Sequence, residues 1–285
     1  MLNTSSQLKT LLVRYFPYLV SSIRHYIKSK KAERTIPQGS LWGFKFCGPS
    51  NMLSGKFEDK EITQITRFFD SVDTFIDIGA NIGLYSCLAR SNNLDVISVE
   101  PEYFNVQILL KNLQINNWDD VAVLPIGVGS GPSIANLYGG GTGASLLEGW
   151  SGGSATHQKI PVNTIDSVVS QISRTRRLAI KLDVEGFEYE ALLGAKVTLS
   201  LHPKPIWFVE IDFDEHHPDG INPNFSRIFD IFWQNGYKCQ TLDDNLQEVM
   251  PEDIENWTNS RSRGFGGHNY VFTDKNSDLN MRTTD

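Results

Sequence analysis

The segment FIDIGANIGLYS, residues 75–86, constrains the fold of this chain more than any other part of the sequence. Its first half is apolar and rich in β-branched residues, which is typical of a buried central strand. Gly79 and Gly83 follow, and because they lack a Cβ they allow positive φ angles and a close approach of the backbone to a ligand. Apolar residues then recur at helical spacing, so a helix is expected to start near Asn81. The segment therefore predicts a strand, a tight turn and a helix whose N-terminal dipole faces the turn.

A second strand is predicted from Asp95 to Val99, and it ends at Glu100, 21 residues after Gly79. In nucleotide-binding βαβ units an acidic residue at about this distance accepts hydrogen bonds from the ribose hydroxyls. The G-x-G-x-x-G phosphate fingerprint is absent, and Asp77 repels a pyrophosphate but suits a cationic or hydroxyl-bearing ligand. These features predict a site for S-adenosylmethionine, with Glu100 at the ribose diol and Asp77 near the aminocarboxypropyl arm or the sulfonium. In the alternative interpretation, Asp77 caps the helix and Glu100 is a solvated strand end.

The rest of the chain alternates between predicted strands and helices, as expected for an α/β fold with a mostly parallel sheet and helices on both faces. Further strands are predicted at 121–126, 178–182 and 206–211, with late strands at 237–242 and 269–273 forming an antiparallel end. Helices are predicted at 61–69, 103–114, 164–171 and 225–235. Gly127 follows the third strand, where an adenine ring would lie in this topology.

Residues 130–162 interrupt the alternation with two glycine-rich runs, GGGTGAS and SGGS, between short β-prone segments. This pattern predicts an inserted hairpin and a loop over the strand ends. The loop is either a substrate lid or a plain hairpin connection, and the sequence favours neither.

Charged side chains are concentrated in residues 180–195, IKLDVEGFEYEALLGA. Since side chains alternate along a strand, Lys181 and Asp183 share one face, and Asp183 reaches the carboxyl edge where ligands bind in open α/β sheets. The next strand ends in a similar way at Glu210, and His216 follows shortly after it. The sequence therefore predicts a rim of carboxylates and imidazoles.

This rim has three interpretations. In the first, a carboxylate or a histidine takes the proton of a substrate hydroxyl. In the second, Asp183, Glu210 and His216 hold a divalent cation that orients the hydroxyl. In the third, Glu185 and Glu188 only complement a helix dipole, and the histidines lie on a solvated loop.

A family resemblance appears in four segments: DIGANIG at 77–83, VEP at 99–101, KLDVEGFE at 181–188 and FVEI at 208–211. Together they resemble the FkbM family of S-adenosylmethionine-dependent methyltransferases over roughly residues 73–240. The resemblance implies a Rossmann-like class I methyltransferase fold, with a seven-stranded sheet of order 3-2-1-4-5-7-6. By position it implies that Asp183 and Glu185 lie beside the transferred methyl group. The implied cofactor-binding residues are Asp77, Gly79, Ala80, Asn81, Gly83, Glu100, Gly127 and Asp183.

The sequence therefore predicts an S-adenosylmethionine-dependent O-methyltransferase that acts on a hydroxyl of a sugar, glycan or natural product. The catalytic candidates are Asp183, Glu185, Glu210 and His216, with the metal requirement left open. One alternative is a non-catalytic subunit that binds the cofactor. This alternative is disfavoured because a site without catalytic activity does not need clustered acids, which are costly to bury. Another is a nicotinamide-dependent oxidoreductase, which is disfavoured by the missing third glycine and by Asp77.

Charge is distributed unevenly along the chain. Residues 1–57 contain nine Lys and Arg against one acidic residue, so they carry +8, and the remainder of a chain of net charge −7 carries −15. Residues 1–35 are basic and contain apolar residues, so this segment could lie on an anionic membrane surface or on a partner. The more common alternative is that such a segment packs on its own domain. Because the positive charge is confined to this arm, nucleic acid is not expected as the substrate.

The length and composition fit one large domain with extensions. We expect a basic arm and entry strands at 1–57, a catalytic domain at 58–275 and a flexible tail at 276–285. No apolar run approaches the roughly 20 residues that span a bilayer, so an integral membrane protein is not expected. The three cysteines show no C-x-x-C pairing, which favours a reducing compartment and hence a cytoplasmic protein.

Overall fold

The computed structural model describes residues 36–152, 157–172 and 175–277. The predictions made for the basic segment 1–35 lie outside the described residues. The strands are β1 (Gln38–Gly39), β2 (Lys45–Phe46), β3 (Thr74–Ile78), β4 (Asp95–Val99), β5 (Ala122–Leu124), β6 (Gly127–Val128), β7 (Ser133–Tyr138), β8 (His157–Asn163), β9 (Leu178–Leu182), β10 (Ile206–Glu210), β11 (Tyr237–Thr241), β12 (Glu248–Val249) and β13 (Asn269–Asp274).

Helices cover both faces of the central sheet. In chain order they are α1 (Ser50–Leu53), α2 (Asp59–Thr66), α3 (Leu84–Ser91), α4 (Tyr103–Gln114), α5 (Ile165–Val169), α6 (Glu188–Leu193), α7 (Lys196–Leu199), α8 (Phe225–Gln234) and α9 (Pro251–Ser260). Among the described residues, no helix is long and apolar enough to span a membrane.

The main sheet has eight strands in the order β12-β11-β13-β10-β9-β3-β4-β5. Strands β3, β4, β5, β9 and β10 are parallel, whereas β13 runs antiparallel to both β10 and β11. When the strands from β3 onwards are numbered without β6, β7, β8 and β12, the order reads 3-2-1-4-5-7-6. This is the expected Rossmann-like order of class I methyltransferases, with β12 as an additional short edge strand.

The central strands are apolar on both faces because each face is covered by helices. Every residue of β3 and β9 is buried. Ile76 and Ile78 contribute to the hydrophobic core on one face, and Phe75 contributes to the core on the other. The chain leaves β3 and β9 in opposite directions along the sheet, and ligands bind outside the carboxyl ends of strands at such a switch point.

The predicted inserted hairpin is present, since β7 and β8 pair along six residues in antiparallel register. β6 pairs with β8 in parallel and completes a separate three-stranded sheet. The predicted strand at 121–126 is therefore shorter than expected, because the chain leaves the main sheet after Leu124 to join the insertion. Residues 139–152 fold back from this hairpin toward the carboxyl ends of the central strands, where Ser145 Oγ donates to the carbonyl of Glu185 at 2.6 Å.

Helix α3 starts later than the sequence predicts. Asn81 has φ of 51° and Gly83 has φ of 86°, so both are in the left-handed region and the first helical residue is Leu84. The predicted start near Asn81 was wrong because the apolar spacing continues through a turn that is not helical. The turn thus extends over five residues, 79–83, before the helix begins.

Candidate functional site

The turn after β3 is held in place by the neighbouring strand ends. A Cβ at Gly79 would lie 1.7 Å from the carbonyl oxygen of Asp183, so only glycine allows β3 and β9 to approach this closely. The backbone N–H of Asn81 donates to Glu100 Oε2 at 2.8 Å, and the N–H of Glu102 donates to Glu100 Oε1 at the same distance. The glycine turn and the acidic end of β4 therefore form one hydrogen-bonded unit.

Glu100 is a buried carboxyl group at the centre of this unit, with 4% of its surface exposed. Burial raises its pKa to about 7, while the N–H groups of Glu102 and Asn81 act in the opposite direction by stabilising the charged form. Asn105 Nδ2 also donates to Glu100 Oε1 at 3.3 Å, so three of the roughly four acceptor positions of the carboxylate are filled and one, on Oε2, remains for a ligand hydroxyl.

A cleft extends from this turn along the ends of β3, β4 and β9. We call it the cofactor cleft, and the space between its walls, open mouth included, is about 540 Å³. The lining residues that sequence reasoning had selected are Gly79, Asn81, Glu100, Gly127, Asp183 and Glu185.

The donor and acceptor set of the cofactor cleft fits S-adenosylmethionine. Asn81 Oδ1 is buried without a hydrogen-bond partner among the described residues, so a ligand donor would satisfy it. Glu100 offers one remaining acceptor position for a ribose hydroxyl. Ile126, Val128 and Leu146 supply apolar walls beside Gly127, which suits a flat base. Asp183 and Glu185 place carboxyl groups at the other end, where they suit a cationic sulfur.

Two predicted cofactor residues lie behind the walls of the cleft. The Asp77 carboxyl group is 1% exposed and accepts a hydrogen bond from Ser86 Oγ at 2.6 Å, while its other oxygen has no partner among the described residues. A Cβ on Gly83 would lie 3.0 Å from Leu109 Cγ, so this glycine lets α3 pack against α4. The structure therefore places Asp77 and Gly83 in packing and hydrogen-bonding positions, and not on the ligand surface.

A second cleft lies on the other side of the same turn, and we call it the acceptor cleft. Its apolar wall comes mainly from the entry segment and α3, and its polar wall comes from the ends of β9 and β10. Gly79, Asn81, Thr142, Asp183 and Glu185 line both clefts, so they form a shared wall. The remaining lining residues of the acceptor cleft are Met52, Phe57, Glu58, Ala80, Ile82, Leu84, Tyr85, Lys181 and Glu210.

Lys181 is the buried cation of the acceptor cleft. Its ammonium donates to Asp183 Oδ2 at 2.6 Å and lies 4.7 Å from the centre of the Tyr85 ring. Burial opposes the charge of Lys181, but the carboxylates of Asp183, Glu58 and Asp77 outweigh burial and raise the pKa of the ammonium. Lys181 therefore stays charged and holds Asp183 in one orientation.

Glu58 and Tyr85 extend this polar wall. Tyr85 Oη donates to Glu58 Oε2 at 2.6 Å, and Glu58 has a left-handed φ of 47° immediately before α2. Burial raises the pKa of the Glu58 carboxyl, and the Lys181 ammonium partly offsets that rise. Sequence reasoning missed both residues, because Glu58 lies in the entry segment and only the tertiary structure brings it to α3.

Glu185 is fixed by the segment that returns from the inserted hairpin. Trp150 Nε1 donates to Glu185 Oε2 at 2.7 Å, and the Trp150 ring lies against Gly186, where a Cβ would be 2.3 Å from Cζ3. Glu185 itself has a left-handed φ of 55°. Burial, followed by the charge of Asp183, raises the pKa of Glu185 to about 7. Sequence reasoning missed Trp150, which has no motif signal and is 35 residues away in the chain.

The predicted metal trio of Asp183, Glu210 and His216 does not form a group of converging ligand atoms among the described residues. The atoms that come within 4.8 Å of one another belong to Asp212, Glu215 and His216. Asp212 pairs with His216 Nδ1 at 2.8 Å and with His268 Nδ1 at 2.8 Å, and the other nitrogen of His268 lies 3.2 Å from Glu215. Because both imidazoles already contact carboxylates, this cluster is a network of carboxylate–imidazole contacts.

His216 lies outside both clefts, behind Trp150. The two ring centres are 5.7 Å apart, and the N–H of Ser151 donates to the His216 carbonyl at 3.0 Å. The hydrogen bond to Asp212 raises the pKa of His216. Its contacts are those of a residue that supports Trp150, whereas Asp183, Glu185 and Glu210 face the acceptor cleft.

Comparison with known proteins identifies a family. The model of the methyltransferase FkbM domain matches residues 77–239, which is more than half of the chain. Comparison with curated proteins finds no match.

Solved structures give distant likenesses. Cofactor-bound Rv0187 from MTB is 11% identical with a TM-score of 0.44, and covers 96% of this chain and 97% of its own. A putative O-methyltransferase from Klebsiella pneumoniae is 9% identical with a TM-score of 0.42, over 76% and 79% of the two chains. The ribosomal protein L11 methylase from Lactobacillus delbrueckii subsp. bulgaricus is 9% identical with a TM-score of 0.38, over 78% and 80%. Because the sequence identities and TM-scores are low, the fold assignment rests on the strand order of the main sheet.

The family match covers the glycine turn, Glu100 and the K-x-D-x-E-G-F-E segment, which are the parts that build the cofactor cleft. The cofactor is S-adenosylmethionine, and the donor set of the cleft fits it. The chain therefore belongs to the FkbM family of S-adenosylmethionine-dependent methyltransferases.

Proposed function

We propose that this methyltransferase is an O-methyltransferase that acts on a hydroxyl group of a sugar, glycan or natural product. The observation that carries the proposal is the shared wall between the two clefts. Asp183 and Glu185 face both clefts, so a methyl donor held on one side and an acceptor held on the other meet at these two carboxyl groups. Alignment of two reactants in near-attack geometry is a large source of rate in such transfers.

The acceptor cleft supports a hydroxyl-bearing substrate with an apolar face. Met52, Phe57 and Leu84 present carbon atoms on one side, and the carboxyl groups of Glu58 and Glu210 lie on the polar side. Carboxyl oxygens accept hydrogen bonds, so they suit donors such as hydroxyl groups. An amphipathic polyol satisfies both walls.

When bound, S-adenosylmethionine would supply a methyl group on a cationic sulfur, and that sulfur would keep the electron pair of the carbon–sulfur bond after transfer to the acceptor oxygen. In the cofactor cleft, Glu100 would bind the ribose, and Asn81 Oδ1 would accept a hydrogen bond from a donor group of the ligand. On the acceptor side, Glu210 is placed to take the hydroxyl proton, since its side chain makes no hydrogen bond or ion pair with any described residue. Lys181 orients Asp183 beside the reacting atoms.

Calorimetric titration with S-adenosylhomocysteine, run beside NAD, tests the cofactor assignment. We expect micromolar binding of S-adenosylhomocysteine alone, which corresponds to about 8 kcal/mol, and weaker binding in the Glu100→Ala variant. Binding of NAD in place of S-adenosylhomocysteine would overturn the assignment.

Changing Asp183 to Asn tests the acceptor side. With a methyl-labelled cofactor and a panel of free sugars, polyols and phenols, we expect turnover to be abolished while affinity for S-adenosylhomocysteine stays within about threefold. Because the Asp183→Asn change leaves Lys181 buried without its carboxylate, Glu185→Gln provides a second variant with an isosteric side chain. Full activity in both variants, or methylation on a ring carbon of the phenols, would contradict the proposal.

Two further expectations remain proposals. We infer a cytoplasmic location, which is supported by the free and buried state of Cys47, Cys87 and Cys239.

For residues 1–35, contact with a membrane surface or a partner is tested by liposome flotation of the full chain and of a chain without this segment. If the two proteins float with the liposomes to the same extent, residues 1–35 do not bind the membrane surface.

A further inference from the structure

Asp183 and Glu210 lie side by side at the ends of neighbouring parallel strands. In the register of β9 and β10, Val209 is level with Leu182, so the next position brings Glu210 level with Asp183. Neighbouring strands are roughly 4.8 Å apart and side chains alternate between faces, so both carboxyl groups point to the same side of the sheet. Both residues line the acceptor cleft.

The charges around Glu210 are unbalanced. The groups that act on it are the carboxyls of Asp183, Glu58 and Glu185 and the ammonium of Lys181. Lys181 is already engaged, with its hydrogen bond to Asp183 and its place over the Tyr85 ring. Strand β13, on the other side of β10, offers Asn269 opposite Glu210, which is neutral. A charge on Glu210 therefore has no cation of its own among the described residues.

The cofactor cleft is where a compensating cation enters. Asp183 and Glu185 line that cleft as well, whereas Glu210 lines only the acceptor cleft. A cation on the cofactor side thus acts on Glu210 by opposing the field of Asp183 across the shared wall. The sulfur of S-adenosylmethionine is cationic, whereas that of S-adenosylhomocysteine is neutral.

We propose that Glu210 carries a proton in the cofactor-free protein and releases it to solvent when Asp183 faces the cationic sulfur, so that the proton-accepting carboxylate exists only in the loaded enzyme. This inference rests on the proposed function. The repulsion by Asp183, followed by burial, raises the pKa of Glu210 well above its usual range, which agrees with a protonated resting state. Because the charge of Asp183 is the largest influence on the pKa of Glu210, a cation that opposes the field of Asp183 also acts on Glu210.

The consequence is an ordered site. Before the methyl donor binds, Glu210 is neutral and cannot take a proton from the acceptor. Once Asp183 is compensated, Glu210 becomes a base of adequate strength beside the acceptor hydroxyl. Acceptor activation is in this way coupled to the presence of the methyl donor, without movement of the backbone.

Calorimetry in two buffers of different ionisation enthalpy, phosphate and Tris, measures the proton release at pH 7. We expect S-adenosylmethionine to release roughly half a proton or more per site beyond any release by S-adenosylhomocysteine. Protons lost by Glu100 cancel in this comparison, since the two ligands share the ribose. Equal proton release by both ligands would overturn the proposal.

Variants assign the proton to a residue. In Glu210→Gln, which imitates the neutral carboxyl group and should fold, the difference between the two ligands is expected to vanish. In Glu252→Gln, an exposed acid on α9, it should remain unchanged. Glu185 also lines the shared wall and has a raised pKa, so Glu185→Gln is the critical comparison. Loss of the difference in Glu185→Gln and its persistence in Glu210→Gln would assign the proton to Glu185 and reject the proposal.

The same titrations separate this inference from the proposed function. If both ligands bind and no extra proton is released, Glu210 is not gated by the cofactor, while the cofactor assignment stands. If neither ligand binds to the folded protein, both proposals fail together.

Discussion

Several residues around the site have left-handed backbone angles, and at Gly186 a side chain also packs against the position of a Cβ. Its φ is 89°, and a Cβ would lie 2.3 Å from the Trp150 ring. Gly220 has a similar φ of 83° but open space around the position of a Cβ. The two glycines therefore separate the effect of the backbone angle from the effect of packing.

We expect Gly186→Ala to destabilise the protein by about 2–4 kcal/mol, since it combines left-handed strain with a clash against Trp150. Gly220→Ala should cost only about 1 kcal/mol, from the backbone angle alone. Urea unfolding followed by circular dichroism measures both values. Equal losses in the two variants would show that Trp150 moves away without cost and does not hold the turn.

Glu100 gives cofactor binding a pH dependence. Its pKa is raised to about 7, so it is ionised above that pH and neutral below it. A ribose hydroxyl donates to the ionised form, so affinity for S-adenosylhomocysteine should fall as the pH is lowered from 8 to 6, by up to about tenfold. In Glu100→Gln we expect weaker binding at pH 8 and a flatter profile. An unchanged slope in that variant would assign the pH dependence to another group.

At the scale of elements, the turn between β9 and α6 depends on one buried acid at the start of α6. Glu188 Oε1 accepts from the N–H of Gly186 at 3.0 Å and of Val184 at 3.2 Å. Burial raises the pKa of Glu188 to about 8, so at pH 7 the carboxyl group is mostly neutral. A neutral carboxyl oxygen and an amide oxygen are similar acceptors.

Glu188→Gln should therefore cost less than about 1 kcal/mol at pH 7, whereas Glu188→Ala should cost about 2–4 kcal/mol because two backbone N–H groups lose their partner. Because burial raises the pKa of Glu188 from 4.5 to about 8, the native state keeps a proton between these pH values that the unfolded state has lost, so the native residue loses stability as the pH rises. The cost of Glu188→Gln should therefore shrink between pH 5 and pH 8. Denaturant unfolding at pH 5, pH 7 and pH 8 gives these values. A large loss for Gln at pH 7 would mean that Glu188 is ionised in the native turn.

At the scale of the whole molecule, stability should be greatest along the central strands. β3 and β9 are fully buried, whereas β1 and β2 are two-residue strands in a separate sheet and β12 pairs only with β11 among the described strands. Amide hydrogen exchange should be slowest in β3 and β9 and faster by roughly a thousandfold or more in β1 and β2. Fast exchange in β9 would contradict a rigid shared wall, since Asp183 directly follows that strand.

The sequence predicts the central elements closely. The bounds of β4, α4 and β9 agree with the prediction to the residue. Buried parallel strands correspond to short apolar runs in the sequence, and amphipathic helices correspond to apolar residues at regular spacing. Both patterns are local, so the sequence alone reveals them. Elements with a weaker apolar pattern were not predicted. Helix α9 is an example, since Ile254 and Trp257 are its only buried residues.

For the site, the sequence by itself determined which residues stand at the strand ends, because a strand end is a local property. Gly79, Glu100, Asp183 and Glu210 were found in this way. Only the tertiary structure decided how these ends meet. The shared wall, the hydrogen bond from Trp150 to Glu185 and the pair of Glu58 and Tyr85 each join segments that are 27 or more residues apart. Such contacts leave no periodic pattern, since they arise from the packing of whole elements against one another.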